Sequence, residues 1–467
     1  MSGATQVLGR TEVHGPETVS VDRPETRPPL DFSSRIPELD GLRGAAIGMV
    51  VFVHYVWFAF LARPTPLLGT LFASTRPLWS AVDLFFILSG FLIGGNLLDA
   101  RDSRNYFSTF YIRRFCRVLP VYFLFIGLAA TAYRFLYRPI GSPVDVLFSG
   151  RLPWYAYLSF AQNLWMAKLN NVGPQILAIT WAFAVEVQFY LIVPAIIRFV
   201  RRSALPYVFM AGIIAAPIFR LYLVHLSRSN LWATYVLLPS RMDPLFLGLL
   251  CAYWLREPRI WNRLVQSRDT LWILLAALFA GTVILNTKGT PFTLLWLAVG
   301  YGWTSAYYAT VLILSLTKSQ SFLSQVMRSR WLTGLGTISY GVYLFHAGVY
   351  GLCKWLLVRH GFQVAGWADF AVTIFALALT MTIGKVSWQY FERPIVRWSH
   401  TWHYAGRLDS DKTARDVRAA PALLEIPHSL IASETGKMRA LALFPVRASL
   451  AKSEVTHPKV EYLSGRL

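Results

Sequence analysis

Long apolar segments, each bounded by polar residues, recur along the chain from about residue 44 to residue 386. A segment of about 20 mostly apolar residues is long enough to cross a bilayer as a helix. Ten such segments are predicted, at residues 44–62, 79–97, 118–135, 176–199, 205–225, 233–255, 270–286, 292–316, 333–356 and 367–386. The stretch at 152–168 is shorter and aromatic, so it is predicted to lie at the membrane interface. The pattern therefore predicts an all-α, polytopic bundle of about ten transmembrane helices.

The composition supports a membrane protein. Of the 467 residues, 55% are hydrophobic and only 15% are charged, whereas a soluble domain carries roughly a quarter charged residues. The net charge of +21 comes without a basic stripe interleaved with aromatic residues, so no nucleic-acid partner is expected. The three cysteines are far apart and form neither a disulfide framework nor a metal motif, and no metal is expected.

The two ends of the chain differ from its apolar middle. Residues 1–35 are polar, rich in Pro, Glu and Thr, and lack the pattern of a signal peptide, so they are expected to form a disordered cytoplasmic arm. Residues 36–398 are predicted to form the membrane domain and residues 399–467 a mostly disordered cytoplasmic tail. Lys and Arg cluster after the second, fourth, sixth and eighth predicted spans. This bias predicts that both termini lie in the cytoplasm. The protein is expected in the plasma (inner) membrane.

The first predicted span contains a histidine. The stretch LDGLRGAAIGMVVFVHYVWFAF carries Arg43 at its mouth and His54 eleven residues later, about 16 Å further along a helix. Eleven residues make close to three turns, so the two side chains are predicted to share one face. Ionisable groups at membrane depth are costly and usually face a polar cavity. The alternative is a structural histidine bonded to a neighbouring carbonyl.

Two later spans carry ionisable residues at a similar depth. Glu186 interrupts TWAFAVEVQFYLIVP, and His346 interrupts GTISYGVYLFHAGVY, with Tyr343 three residues before it on the same face. Together with His54 they suggest one polar chamber. The alternatives are a structural Glu–Arg pair for Glu186 and a hydrogen-bonded core residue for His346. An unpaired buried carboxylate would be protonated or would find a cation, so a histidine or arginine partner is expected for Glu186.

Arginines precede the third predicted span. In YIRRFCRVLP, Arg114 and Arg117 share a face, and guanidinium groups suit phosphate oxygens. The alternative is ordinary positive charge on the cytoplasmic side.

Three further polar residues, Asp83, Arg241 and Asp243, lie near the outer ends of the second and sixth spans and are expected to be structural. Small residues allow close helix contact in membranes. Three glycines of the second span are predicted to permit such close helix contact: Gly90, Gly94 and Gly95.

The ordered set of motifs resembles the acyltransferase 3 family of integral-membrane acyltransferases across residues 36–398. The matching stretches are LDGLRGAAIGMVVFVH, DLFFILSGFLI, FYIRRFCRVLP, WAFAVEVQFYLIVP, ISYGVYLFH and YFERP. The family's arginine, ten intervening residues and histidine fall on Arg43 and His54, its arginine pair on Arg114 and Arg117, and its glutamate on Glu186. Ala184 and Val187 stand where the family pattern has a serine and a second glutamate.

The resemblance implies transfer of an acyl group, often acetyl from acetyl-CoA, onto hydroxyls of surface carbohydrates, lipopolysaccharide or other glycosylated molecules. Arg43, Arg114 and Arg117 would hold the phosphates of acyl-CoA. His54 would take the acceptor's proton, assisted by Glu186, or an acyl group would first rest on a histidine. The competing hypothesis is a transporter or exporter of a sugar-containing or anionic solute, because buried charges also suit that function.

Overall fold

The computed structural model describes residues 34–57, 75–136, 145–150, 152–317, 321–358 and 367–406, and no strand occurs within these ranges. The helices are α1 Pro37–Phe52, α2 Ala81–Asp99, α3 Tyr106–Leu136, α4 Asp145–Phe148, α5 Trp154–Leu158, α6 Gln162–Leu169, α7 Gln175–Ala178, α8 Trp181–Phe199, α9 Leu205–Leu226, α10 Ala233–Val236, α11 Met242–Trp254, α12 Pro258–Gln266, α13 Arg268–Lys288, α14 Tyr301–Thr317, α15 Phe322–Met327, α16 Arg330–Thr337, α17 Ser339–Val358, α18 Trp367–Val386 and α19 Arg393–Ser399. Narrow 3₁₀ turns occur at Arg76–Ser80, Arg202–Ala204 and Pro239–Arg241, and π-helical turns at Val53–Trp57, Trp296–Gly300 and Ser387–Glu392.

Within the described ranges, nine helical segments are long and apolar enough to cross a membrane, and the predicted all-α, polytopic class is confirmed. They are Pro37–Val56, Arg76–Asp99, Tyr106–Leu136, Gln175–Phe199, Arg202–Leu226, Arg268–Lys288, Trp296–Thr317, Ser339–Val358 and Trp367–Ser399. The stretch at 152–168, predicted not to cross, forms the two short helices α5 and α6.

The predicted sixth span, residues 233–255, does not form one long helix. It is divided into α10, a 3₁₀ turn and the 13-residue α11. Pro239 begins the turn, and proline lacks the N–H that a continuous helix would need. Thirteen residues of helix extend about 20 Å, less than the hydrocarbon thickness of a bilayer. Most side chains of α11 are buried inside the bundle.

Helix α11 nevertheless runs parallel to α2 along most of its length. Arg241, just before α11, forms an ion pair with Asp83 near the start of α2. Arg256, just after α11, lies 2.8 Å from Asp99 at the end of α2. The short helix and its flanking turns therefore span the same depth as residues 83–99 of a helix that is long enough to cross.

Glycines bring these two helices into backbone contact. A Cβ atom on Gly90 would collide with the carbonyl oxygen of Leu245, and one on Gly94 would press on the side chain of Leu249. The prediction that glycines of this span permit close helix contact is therefore confirmed at these two positions.

Helix α1 packs in the same way on α15 and α16. A Cβ on Gly41 would collide with the carbonyl of Met327, and one on Gly44 with the carbonyl of Leu332. These contacts set the rotation of α1 and so the position of Arg43. Since α16 is a separate short helix, the ninth predicted span begins at Ser339 rather than at residue 333.

Helix α3 begins earlier than its apolar run. The prediction started this span at residue 118, but the helix starts at Tyr106. Arg114 and Arg117 therefore belong to the helix itself. Apart from residues 34–35 and 399–406, the predicted N-terminal arm and C-terminal tail lie outside the described residues.

Candidate active site

Five helices line a cavity of about 100 Å³, called here the main cavity. Its walls come from α1, α2, α3, α8 and α17. The lining side chains are Arg43, Val82, Phe85, Phe86, Leu88, Ser89, Leu92, Ile93, Arg114, Arg117, Val118, Ala182, Phe183, Glu186, Tyr190, Ser339, Tyr340 and Tyr343. Four of the predicted charged site residues, from three distant segments, thus meet in one place.

The three arginines of the main cavity have different surroundings. Arg43 lies 3.3 Å from the carboxylate of Asp40, one turn earlier on α1, and its side chain is 23% exposed. Arg114 lies over the ring of Phe110, with its guanidinium carbon 5.8 Å from the ring centroid. Among the described residues, no hydrogen bond or ion pair occupies the guanidinium of Arg114 or Arg117. Their donors can therefore serve an anionic ligand in the cavity.

The start of α3 is fixed by the segment that follows α19. Arg113 donates from Nε to the carbonyl of Trp402 at 2.8 Å and lies against the ring of Tyr404. Asn105 donates to the carbonyl of His403, also at 2.8 Å. Because Arg113 is held on this outer side, the next residue of the helix, Arg114, is directed toward the cavity.

Glu186 is held by a hydroxyl rather than by a histidine. The Oγ of Ser89, on α2, donates to Oε1 of Glu186 at 2.8 Å. The predicted alternative, a structural Glu–Arg pair, is not formed within ion-pair distance among the described residues. A carboxylate thus faces three guanidinium groups across the main cavity. Ser89 was not predicted, although a lone serine in the apolar run ILSGF is a usable signal.

The two predicted histidines contact each other. The ring centroids of His54 and His346 are 4.7 Å apart, in an edge-to-face arrangement. The Nδ1 of His54 lies 2.9 Å from the carbonyl of Val50, and that of His346 lies 2.6 Å from the carbonyl of Tyr343. A neutral imidazole that donates from Nδ1 keeps its lone pair on Nε2.

Two features distinguish this histidine pair from ordinary core residues. The Nε2 of His346 is buried and has no hydrogen-bond partner among the described residues. His54 lies in the π-helical turn Val53–Trp57, and π-turns are frequent at functional sites. The predicted structural alternative, a histidine bonded to a neighbouring carbonyl, describes the Nδ1 atoms of both rings but not the buried Nε2 of His346.

The histidine pair lies behind one wall of the main cavity. Neither ring lines the cavity, but Tyr343 does, and its ring centroid is 5.7 Å from that of His346. The predicted shared face of α1 therefore brings Arg43, but not His54, to the cavity surface. The predicted single chamber is instead a charged cavity and an adjoining histidine pair, with Tyr343 between them.

Asp83, Arg241 and Asp243 belong to two buried ion pairs, as expected for structural residues. Arg241 pairs with Asp83, and Asp243 lies 2.9 Å from Arg220, with all four side chains almost fully buried. The guanidinium of Arg241 also lies 4.5 Å from the ring centroid of Tyr301. Arg220 was not predicted, although a single arginine inside the apolar run of 205–226 is a signal for such a pair.

No cluster of three or more His, Cys, Asp or Glu side chains arranged to hold a metal occurs within the part of the chain that the structure describes. The polar groups of the site are guanidinium, imidazole, phenol and carboxylate. This set is suited to binding phosphates and to moving a proton.

Comparison with known proteins agrees with the geometry. A family model described as an acyltransferase domain matches residues 36–386. The chain is 24% identical over 400 residues to the peptidoglycan O-acetyltransferase OatA of Listeria monocytogenes, covering 80% of this chain and 58% of that protein. It is 23% identical over 382 residues to the O-acetyltransferase OatA of Staphylococcus aureus, covering 77% of this chain and 57% of that protein. The chain thus spans less than three fifths of the length of these relatives. No solved structure matches the chain.

Proposed function

Because the chain belongs to the acyltransferase 3 family, we propose that it transfers an acetyl group from acetyl-CoA across the membrane to a hydroxyl of a carbohydrate or glycosylated acceptor, such as exopolysaccharide or lipopolysaccharide. The observation that carries the proposal is the main cavity, where three arginines and Glu186 meet beside the histidine pair. The names of the relatives favour a cell-envelope glycan as acceptor. Buried charges alone would also suit a transporter, and family membership is what favours acyl transfer.

The donor binds through its phosphates. Acetyl-CoA is strongly anionic, and Arg43, Arg114 and Arg117 supply three guanidinium groups on one side of the main cavity. The pantetheine arm then extends inward between the apolar walls formed by α2 and α8. The thioester comes to rest against Tyr343, one side chain away from His346.

The histidine pair removes the proton of the acceptor. The acceptor oxygen attacks the thioester carbonyl while Nε2 of His54 or His346 takes the hydroxyl proton. The new C–O bond forms, the C–S bond breaks, and the CoA thiolate takes the proton back from the imidazolium. In the alternative order, an imidazole Nε2 attacks first and carries the acetyl group to the acceptor. Glu186 balances the positive charge that the arginines and the imidazolium bring to this region.

The proposed topology places the donor side in the cytoplasm, with both termini there and the protein in the plasma (inner) membrane. Lys and Arg follow the segments that end near residues 99, 199, 255 and 317. Termini on one side require an even number of crossings. Counted over the described residues, the nine long helical segments and α11, which runs parallel to α2, would give ten crossings.

The proposal is tested by supplying the purified, full-length protein with radiolabelled acetyl-CoA and cell-envelope glycans. Label should appear on the glycan as an alkali-labile ester, which identifies an O-acetyl group. Movement of an intact solute without consumption of acetyl-CoA would contradict the proposal and support the transporter hypothesis.

A further inference from the structure

A second cavity of about 160 Å³ adjoins the main cavity. Its lining residues are Ser34, Arg35, Ile36, Leu39, Asp40, Arg43, Phe91, Leu92, Asn96 and Arg256. Arg43 and Leu92 line both cavities. One guanidinium, that of Arg43, therefore lies on the boundary between the two spaces.

The second cavity carries an excess of positive charge. Arg35 and Arg43 share a single carboxylate, that of Asp40, at 2.6 Å and 3.3 Å. Two cations and one anion leave a net positive charge in this wall. Arg256 adds a third guanidinium to the lining, and the carboxylate of Asp99 balances its charge.

The position of Arg256 is set by its surroundings. Its Nε and Nη2 lie 2.9 Å and 2.8 Å from the two carboxylate oxygens of Asp99, and Nη1 donates to the carbonyl of Ala252 at 3.0 Å. The guanidinium lies against Gly95, where a Cβ atom would come within 2.9 Å of its central carbon. The side chain is only 9% exposed. Such a group is preorganised, which lowers the entropic cost of binding a ligand.

We propose that the second cavity binds the phosphorylated nucleotide end of the acyl donor, while the main cavity holds its pantetheine arm and thioester. This inference rests on the proposed function, because it assigns a place to one part of that donor. The phosphates at the junction of the two parts contact Arg43 on the boundary and reach Arg114 and Arg117 at the edge of the main cavity. Arg35 and Arg256 contact the phosphates at the nucleotide end.

Donors of different length test this assignment. Michaelis constants are measured for acetyl-CoA and for S-acetyl-4′-phosphopantetheine, which lacks the nucleotide. Arg35→Gln and Arg256→Gln should each raise the KM for acetyl-CoA roughly tenfold, since a lost charge-assisted contact costs about 1.4 kcal/mol or more. The KM for the truncated donor should stay unchanged. Equal losses for both donors, or none, would overturn the assignment.

Matched variants separate binding from folding. Gly95→Ala keeps every charge but displaces the Arg256 guanidinium, so it should reproduce the selective rise in the KM for acetyl-CoA. Gly127→Ala is the control, because a Cβ on Gly127 has no atom within 4 Å among the described residues. Arg259→Gln is the control for charge, since Arg259 is exposed and does not line the second cavity.

Binding of adenosine 3′,5′-bisphosphate to the wild-type protein separates this inference from the proposed function. If the protein does not turn over acetyl-CoA, the proposed function fails. Binding of the bisphosphate nucleotide then tests the second cavity independently of any reaction. Binding that is lost in Arg256→Gln but kept in Arg259→Gln supports the site. No binding to the wild-type protein overturns it.

Discussion

The rings of His54 and His346 meet edge to face, with their centroids 4.7 Å apart, although they come from the first and the second-to-last of the long helical segments. Each ring has its Nδ1 against a backbone carbonyl of its own helix. The Nε2 of His346 has no hydrogen-bond partner among the described residues, which makes it a candidate proton acceptor.

Replacement of either histidine should abolish transfer. His54→Ala and His346→Ala each remove a proposed proton acceptor, and general base catalysis contributes typically 10²–10⁴-fold. The rate of acetyl-CoA-dependent glycan acetylation should fall by about that factor in each variant. His225→Ala, at an exposed position on α9, is the control and should retain activity. Full activity of both His54→Ala and His346→Ala would contradict both orders of the proposed reaction.

The arginines of α3 should act on donor binding. Lysine keeps the charge but loses the planar, two-pronged geometry with which arginine contacts phosphate. Arg114→Lys and Arg117→Lys should therefore raise the KM for acetyl-CoA several-fold, with a smaller effect on kcat. Arg134→Lys, at an exposed position near the other end of the same helix, is the matched control. A pure loss of kcat at constant KM would argue against a role in donor binding.

The hydrogen bond between Ser89 and Glu186 should matter less than the carboxylate itself. Ser89→Ala removes one donor, and a hydrogen bond to a charged group contributes about 1.5–3 kcal/mol. Glu186→Gln removes the charge that faces the three arginines and should lower kcat more. The double variant should be no worse than Glu186→Gln, because coupled residues are not additive. Fully additive losses would show that Ser89 acts independently of Glu186.

The buried ion pair between Arg241 and Asp83 should govern stability rather than chemistry. Arg241→Leu leaves Asp83 buried without its partner, which costs about 3–5 kcal/mol. The thermal unfolding temperature in detergent should fall, and the double variant Asp83→Leu/Arg241→Leu should recover much of it. Activity per folded molecule should change little. Loss of activity at unchanged unfolding temperature would place Arg241 in the reaction instead.

The sequence predicts the helical class and the charged residues of the main cavity because both are consequences of the membrane environment. Apolar runs of sufficient length report crossing helices, and a charge inside such a run requires a polar surrounding. For this reason the sequence alone identifies four charged residues of the main cavity, and the structure brings them together: Arg43, Arg114, Arg117 and Glu186.

The sequence does not predict which helices touch. The contact of Ser89 with Glu186, and that of Arg220 with Asp243, joins residues of different helices, and nothing local to either residue specifies the other. The position of Tyr343 between His346 and the main cavity depends on the rotation of α17, which is set by packing. Pro239 is a sequence signal for the break in the sixth predicted span. The apolar run on both sides of it nevertheless favours one continuous helix, which is why the prediction was wrong there.

The glycine contacts of α2 also limit how the protein can move. The backbones of α2 and α11 are in contact at Gly90, and an ion pair joins the two helices at each end. Sliding or rotation of one helix past the other would break these contacts. The wall of the main cavity that α2 contributes is therefore stationary. Any opening that admits the donor or the acceptor must come from α1, α3, α8 or α17 moving against this surface.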